Sequence, residues 1–223
     1  MDVSSLKYPK KSHRRSIRFP KNSILLAEFM GIEFGDGGIG NPWQVVITLN
    51  SEKDVVFAKY TLDLIHRLFG IDAAVRKRKN KNALQIVSTS ISLVDFLVSK
   101  GAVRGNKVAQ CFNIPGWIRS KNSYEKAFVR GLVDTDGCLY IHRHIVNGTS
   151  YKNIGLCFTS WSKPLLDSVA GILKKHEIIS HITNNKRIYL YNENSVLRYL
   201  KVFGSSNPRI TEKYIEWKGA GVV

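Results

Sequence analysis

Two runs of this sequence end an apolar stretch on an acid followed by glycine: ILLAEFMGIEFGDGG, residues 24–38, and FVRGLVDTDGCLYI, residues 128–141. The apolar residues of each recur at helical spacing, and the glycine after the aspartate reads as a helix stop. A helix C-terminus carries partial negative charge and favours cations. Asp36 and Asp136 sit there instead, with Asp134 beside the second. Carboxylates at two such ends require positive charge nearby, and a bound cation is one way to supply it.

The elements that would carry these acids form a repeat. Asp36 and Asp136 are 136 − 36 = 100 residues apart, and the segments downstream of each come in the same order. The spacing predicts a first helix from about Ser23 to Gly35, capped by Ser23 or Asn22, then a strand at 43–50. A long amphipathic helix comes next, capped at Ser51 and closed by Gly70, then a hairpin turning across 79–82 and a short helix ending at Gly101. The second half repeats the plan: a helix at 123–137, a hairpin from CLYIHRHIV and YKNIGLCFTS, and a long helix over SKPLLDSVAGILKKHEI. A second hairpin is formed by ISHIT and KRIYLYN, then a shorter helix and a final stretch to Trp217. The division is a basic N-terminal arm (1–22), a first half (23–101), a linker (102–122), a second half (123–218) and a frayed tail (219–223). Each half is α-β-β-α-β-β-α.

Composition names the kind of partner. Thirty-four Lys and Arg stand against 17 Asp and Glu, a net charge of +17 with a pI near 9.9. Such a surplus fits a polyanion, nucleic acid first. No apolar run approaches the ~20 residues of a spanning helix, and no secretory signal is visible, so no membrane role is expected. The arm, with Lys7, Lys10, Lys11, Arg14, Arg15, Arg18 and Lys21, is either a solvated tail or a segment that tracks phosphates. Cys111, Cys138 and Cys157 form no zinc pattern and read as reduced, mostly buried residues of a cytosolic protein.

Strand alternation points the same way. Leu139, Ile141 and Ile145 oppose Tyr140, His142 and His144; Ile188 and Leu190 oppose Arg187, Tyr189 and Tyr191. In the first half Val75 opposes Arg76 and Arg78, while Leu84 and Ile86 oppose Gln85. One sheet face is therefore apolar and the other basic, aromatic and amide-bearing, the side chains that reach phosphates and base edges. With Gln44 and Asn153, these residues form the expected nucleic-acid face.

The run VRGLVDTDG (129–137) resembles the signature of the LAGLIDADG homing endonucleases, and FMGIEFGDG (29–37) resembles it more loosely. IPGWI ahead of the second run is also similar to single-chain members. The resemblance spans residues 23 to about 217. It implies an α+β fold of two pseudo-symmetric halves packed through their motif helices, with antiparallel sheets forming a saddle over DNA. Gly31 and Gly35, like Gly131 and Thr135, are four apart and would let the helix backbones approach.

Crossing there would bring Asp36 and Asp136 together as metal-binding acids. Hard oxygen ligands suit magnesium, completed by water, scissile phosphates and the carbonyls of Gly35 and Thr135. Calcium could support binding without turnover. Asp134 matches the other acid of the signature, which Phe34 replaces in the first half. Family members also place a basic residue near the reacting phosphate, late in each half. Lys107 and Arg209, 209 − 107 = 102 residues apart, are the candidates, with ordinary surface cations as the alternative.

The resemblance implies a monomeric, magnesium-dependent, sequence-specific DNA endonuclease. It would be intron-encoded and act at the nucleoid or in an organellar matrix. An RNA maturase acting on its host intron RNA, or a DNA-binding regulator without cleavage, are the alternatives on the same fold.

Overall fold

The structure is a computed structural model and describes residues 15–219. Its first half comprises α1 (Ile24–Phe34), β1 (Gly37–Asn41), β2 (Gln44–Asn50), α2 (Val55–Phe69), β3 (Ala74–Lys77), β4 (Ala83–Thr89) and α3 (Ile91–Ser99). A 3-10 turn at Lys107–Ala109 and the short α4 (Gly116–Arg119) lead into the second half. That half comprises α5 (Asn122–Asp136), β5 (Gly137–Val146), β6 (Thr149–Thr159), α6 (Lys163–Lys175), β7 (His181–Thr183), β8 (Arg187–Leu190), α7 (Glu193–Val202) and α8 (Pro208–Gly219). The sheets share one topology, β1-β2-β4-β3 and β5-β6-β8-β7, antiparallel throughout. This is the expected α+β duplication.

The motif helices α1 and α5 are the centre of the molecule. Ser23 caps α1 by accepting the Leu26 amide at 3.2 Å, and from Leu26 to Phe34 every α1 residue is buried. Two central glycines permit the burial. A Cβ on Gly31 would lie 2.1 Å from the Phe128 carbonyl oxygen, and one on Gly131 would lie 2.3 Å from that of Glu28. Only hydrogen fits at either point. The buried Glu28 carboxylate meets the Arg130 guanidinium, with Tyr60 Oη donating to it at 2.8 Å, so its charge is paired.

Several sequence expectations are corrected. Ser51 does not cap α2. Residues 51–54 form a turn in which Asn50 Oδ1 accepts the amides of Glu52 and Lys53 at 2.9 Å each, and the helix starts after Asp54. The Asn50 side chain thus satisfies amides that a Ser51 cap would have left in the helix. Gly70 does close α2, with φ of +67°. The glycine-rich β1 carries no clear period-2 signal, whereas the final stretch, left without an assigned element, is α8, with Ile210, Tyr214 and Trp217 at i, i+4 and i+7 turned to the core. Gly219 belongs to α8 rather than to a tail, and 220–223 lie outside the described residues.

Val75 and Ile145 alternate as expected but are not core: they are 49% and 74% exposed. Val75 lies on edge strand β3, and Ile145 lies near the tip of the β5–β6 hairpin. There β6 has run past its pairing with β8, which covers only 156–159.

Residues 15–22 are not a solvated tail. Ile17 is buried, Phe19 packs on Phe96 at 5.8 Å, and Arg18 Nη1 donates to the Arg67 carbonyl at 2.9 Å. Arg15 Nη1 donates to the Asp72 carbonyl at 2.8 Å, so two of the arm's cations hold helix and loop carbonyls of the first half. The remainder of the arm, 1–14, lies outside the described residues.

Candidate catalytic centre and nucleic-acid interface

At the C-terminal ends of α1 and α5 the approach remains tight. A Cβ on Gly35 would fall 2.0 Å from Thr135 Oγ1 and 3.4 Å from Asp136 Oδ2. Thr135 turns its hydroxyl back into its own helix, donating to the carbonyls of Leu132 at 2.8 Å and Gly131 at 3.1 Å. Asp36 is held from the other side by Thr48, whose amide donates to its carbonyl at 2.9 Å. The two aspartates expected to meet are therefore neighbours across the helix interface.

Lys107 and Arg209 are there too. Lys107 Nζ donates to the carbonyls of Glu33, Phe34 and Gly35, each at 2.9 Å, closing the negative end of α1. Arg209 reaches the carbonyls of Asp134 at 3.5 Å and Gly137 at 3.4 Å at the end of α5. Both residues are half-buried, each against a motif-helix terminus rather than on the open surface. Part of the positive charge that these helix ends require is thus supplied by the chain itself.

The aspartates still carry a cost. Burial, then Asp136 and Asp54, push the Asp36 carboxyl up to about 7, against the pull of Lys107 and Arg209. Burial raises Asp136 to about 6, opposed by Lys107. Asp136 is open to solvent on one side and Asp36 is half-buried, so both are accessible yet poorly hydrated. Burial lowers the Lys107 ammonium pKa while the neighbouring acids raise it. Glu33, fully buried with both carboxylate oxygens unpartnered, is itself raised to about 7 by burial.

Adjacent carboxylates that burial makes costly to ionise, with carbonyl oxygens beside them, fit a hard divalent cation. Among the described residues no group of three or more His, Cys, Asp or Glu gathers to hold a metal, here or elsewhere, so a cation held by Asp36 and Asp136 would need carbonyl, water and phosphate oxygens to complete its shell. The Gly35 carbonyl already accepts from Lys107, so as a ligand it would use its second lone pair.

Tertiary contacts add residues that sequence reasoning missed. Asp54, buried ahead of α2, ion-pairs with Arg209 Nε at 3.4 Å and accepts from Asn207 Nδ2 at 2.9 Å. Asn207 also donates to the Asp134 carbonyl at 2.9 Å and accepts the Arg209 amide at 3.1 Å. An acid of the first half thus anchors the basic residue of the second.

Asp134 ties α5 to the same segment, accepting from Ser205 Oγ at 2.5 Å and the Ser206 amide at 2.7 Å. At the equivalent place in the first half, Phe34 packs edge-on against Phe112 at 5.4 Å. The departure from the acid at Phe34 replaces a polar staple with an aromatic one. In each half the staple ties the motif helix to the segment carrying its basic residue.

Cross-strand register puts the expected interface residues on one side of each sheet. Arg76, Gln85 and Thr48 share a row, as do His142 with Asn153 and His144 with Tyr151. Their rows alternate with those of the buried Ile47–Ile86 and Leu139–Leu156–Leu190 sets. Arg76, Arg78, His142, Asn153, Arg187 and Tyr191 are exposed; Gln44, Gln85, Tyr140, His144 and Tyr189 are half-buried. The aromatics stack in ladders: Tyr189 on Tyr191 at 5.0 Å, and His142 on His144 on Tyr151 at 5.2 and 5.5 Å. No acid stands on any strand among the described residues.

The cysteines depart from expectation: Cys111 and Cys138 are exposed and Cys157 is partly so. Cys138 and Cys157 occupy strand positions that alternate away from the core, where side-chain type does not set burial.

Residues 123–215 match the family model described as a LAGLIDADG-like domain. Solved structures extend the likeness over both halves. The LAGLIDADG homing endonuclease I-LtrWI bound to target DNA aligns at a TM-score of 0.60 with 11% identity, covering 88% of this chain and 89% of that one. I-DmoI in complex with DNA and Mn aligns at 0.54 with 16% identity, covering 82% and 97%. The N-terminal LAGLIDADG domain of DUF199/WhiA aligns at 0.55 with 16% identity, covering 84% of each. No curated protein matches. The fold is shared with LAGLIDADG proteins that include homing endonucleases.

Proposed function

We propose that this chain, whose second half is a LAGLIDADG-like domain and whose fold is that of the LAGLIDADG homing endonucleases, is a site-specific endonuclease that hydrolyses both strands of duplex DNA. The observation that carries the reading is the convergence of Asp36, Asp136, Lys107 and Arg209 at the ends of two crossing helices. A structural crossing alone would have no use for two poorly hydrated carboxylates there.

The chain's residues divide the work. Arg76, Arg187 and the aromatic and amide rows of both sheets bind and orient the duplex, with the +17 charge drawing it in. Asp36 and Asp136 would hold divalent metal, magnesium in this reading, which when bound would activate water and stabilise the leaving oxygen. Lys107 and Arg209 place fixed positive charge beside the phosphate as its negative charge grows. Asp54 and Asn207 hold Arg209 in place.

The chain acts as a monomer, since one chain supplies both acids and both cations. An intron-encoded enzyme working at a nucleoid or in an organellar matrix fits this activity.

The test is to incubate the protein with magnesium and a library of duplex sites, then sequence the cut ends. Recurrent double-strand breaks at one sequence support the reading. Selective retention of a sequence without breaks would mean a regulator, and preferential retention of structured RNA would mean a maturase.

A further inference from the structure

Cys138 on β5 and Cys157 on β6 are direct cross-strand partners, in the row that continues to Tyr189 and His181. Both alternate with buried residues, Leu139 and Leu156, so both thiols leave the sheet on the side of Tyr140 and His142. Both are free, Cys138 exposed and Cys157 partly so. Directly opposed residues of an antiparallel pair hold their Cβ atoms about 4.5–5.5 Å apart, and a disulfide spans about 3.5–4.5 Å. Closing the bond therefore takes a small inward shift of two adjacent strands and rotation of the thiols. Cys111, in the connection between the halves, has no such partner in register.

We propose that Cys138 and Cys157 are a redox modification site, a vicinal dithiol that a low-molecular-weight disulfide such as glutathione disulfide converts to a cross-strand bond. The Cys138 thiolate attacks one sulfur of the oxidant and displaces the other as a thiolate, leaving a mixed disulfide. The Cys157 thiolate then attacks Cys138 Sγ and displaces the second small thiolate. The two protein thiols are oxidised, the small disulfide is reduced to two thiols, and the two protein thiol protons end on those products. Because the bond must pull the strands together, it is strained and readily reduced, as a reversible modification requires.

Its place gives it a consequence, which rests on the DNA-binding reading. Cys138 is two residues beyond Asp136, and the pair lies on the face assigned to the duplex. Tightening β5 against β6 there displaces the first rows of that face and the backbone that carries Asp136, so the oxidised protein loses affinity for its target.

The experiment treats full-length protein with excess glutathione disulfide and maps the products by intact mass and peptide mass. Cys111→Ser should lose two hydrogens, wild type should do the same apart from a glutathione adduct on the exposed Cys111, and both should yield a peptide joining Cys138 to Cys157. Cys138→Ser and Cys157→Ser should give only glutathione adducts, and dithiothreitol should reverse every product. Separate adducts on both cysteines of wild type, with no internal cross-link, would overturn the site. Oxidised Cys111→Ser should lose duplex affinity and regain it on reduction; unchanged affinity would overturn the consequence. Failure of the reduced protein to bind any duplex would instead overturn the DNA reading, with the mass result alone deciding the thiol pair.

Discussion

Gly31 and Gly131 face each other's helix reciprocally, each occupying a place where a methyl group would enter the partner's backbone, at 2.1 Å and 2.3 Å. Neither obstacle is a flexible side chain that could swing away. Gly31→Ala and Gly131→Ala should each destabilise the protein by about 1–3 kcal/mol or more, read from urea unfolding. Gly171→Ala is the control: it lies in α6 with nothing within 4 Å and should be neutral or stabilising. Equal effects at all three positions would show that the crossing is looser than described.

Asp36→Asn and Asp136→Asn keep shape while removing the charge assigned to metal. Each should abolish double-strand cleavage while duplex binding survives or improves, as repulsion of phosphate falls. Calcium should support binding by the wild type without turnover. Cleavage, binding and melting temperature measured on one preparation separate this from a bracing role, under which cleavage would simply track the folded fraction.

The raised aspartates predict a pH trend in metal-free protein. Asp36 titrates near 7 when folded against an ordinary value of 3.8, so its contribution to stability is fully present at low pH. That contribution is lost progressively as pH rises from about 4 through 7, because the folded state must then bear an unfavourable charge. Wild type should therefore lose melting temperature relative to Asp36→Asn over this window. Magnesium should reduce the difference above pH 7, because it favours the ionised form.

Asp54 lies 3.4 Å from Arg209, and the ion pair crosses between the halves. In Asp54→Asn the guanidinium loses its anchor at a buried position, while the sheet faces are untouched. Single-turnover cleavage should slow with little change in duplex affinity. A loss of affinity with an unaltered cleavage rate would place Arg209 among the general phosphate contacts instead.

Arg76→Ala and Arg187→Ala test the sheet faces. A contact to a base edge is worth about 1–3 kcal/mol, and its loss should relax specificity at one position. A phosphate contact should instead weaken binding to all sequences and flatten the salt dependence. Competition binding over a salt series distinguishes the two, and no change in either variant would remove these strands from the interface.

Much of this protein was determined locally. The order of elements, the glycines at helix crossings, the aspartates at helix ends and the faces of most strands are set by spacing along a few turns or pleats. The 100-residue interval between Asp36 and Asp136 then makes two local patterns into one site. Other features needed tertiary structure, because they join residues far apart in the chain. Asn207 reaches Asp54 across 153 positions, and Lys107 closes a helix that ended 73 residues earlier at Phe34.

Burial was the other blind spot. Alternation assigned Val75 and Ile145 to the core, yet both are exposed, and chemistry suggested buried cysteines where Cys138 is open. Periodicity records which way a side chain leaves its strand, a property of the pleat. Whether anything lies there to cover it depends on where a second layer ends, and only the packed structure decides that.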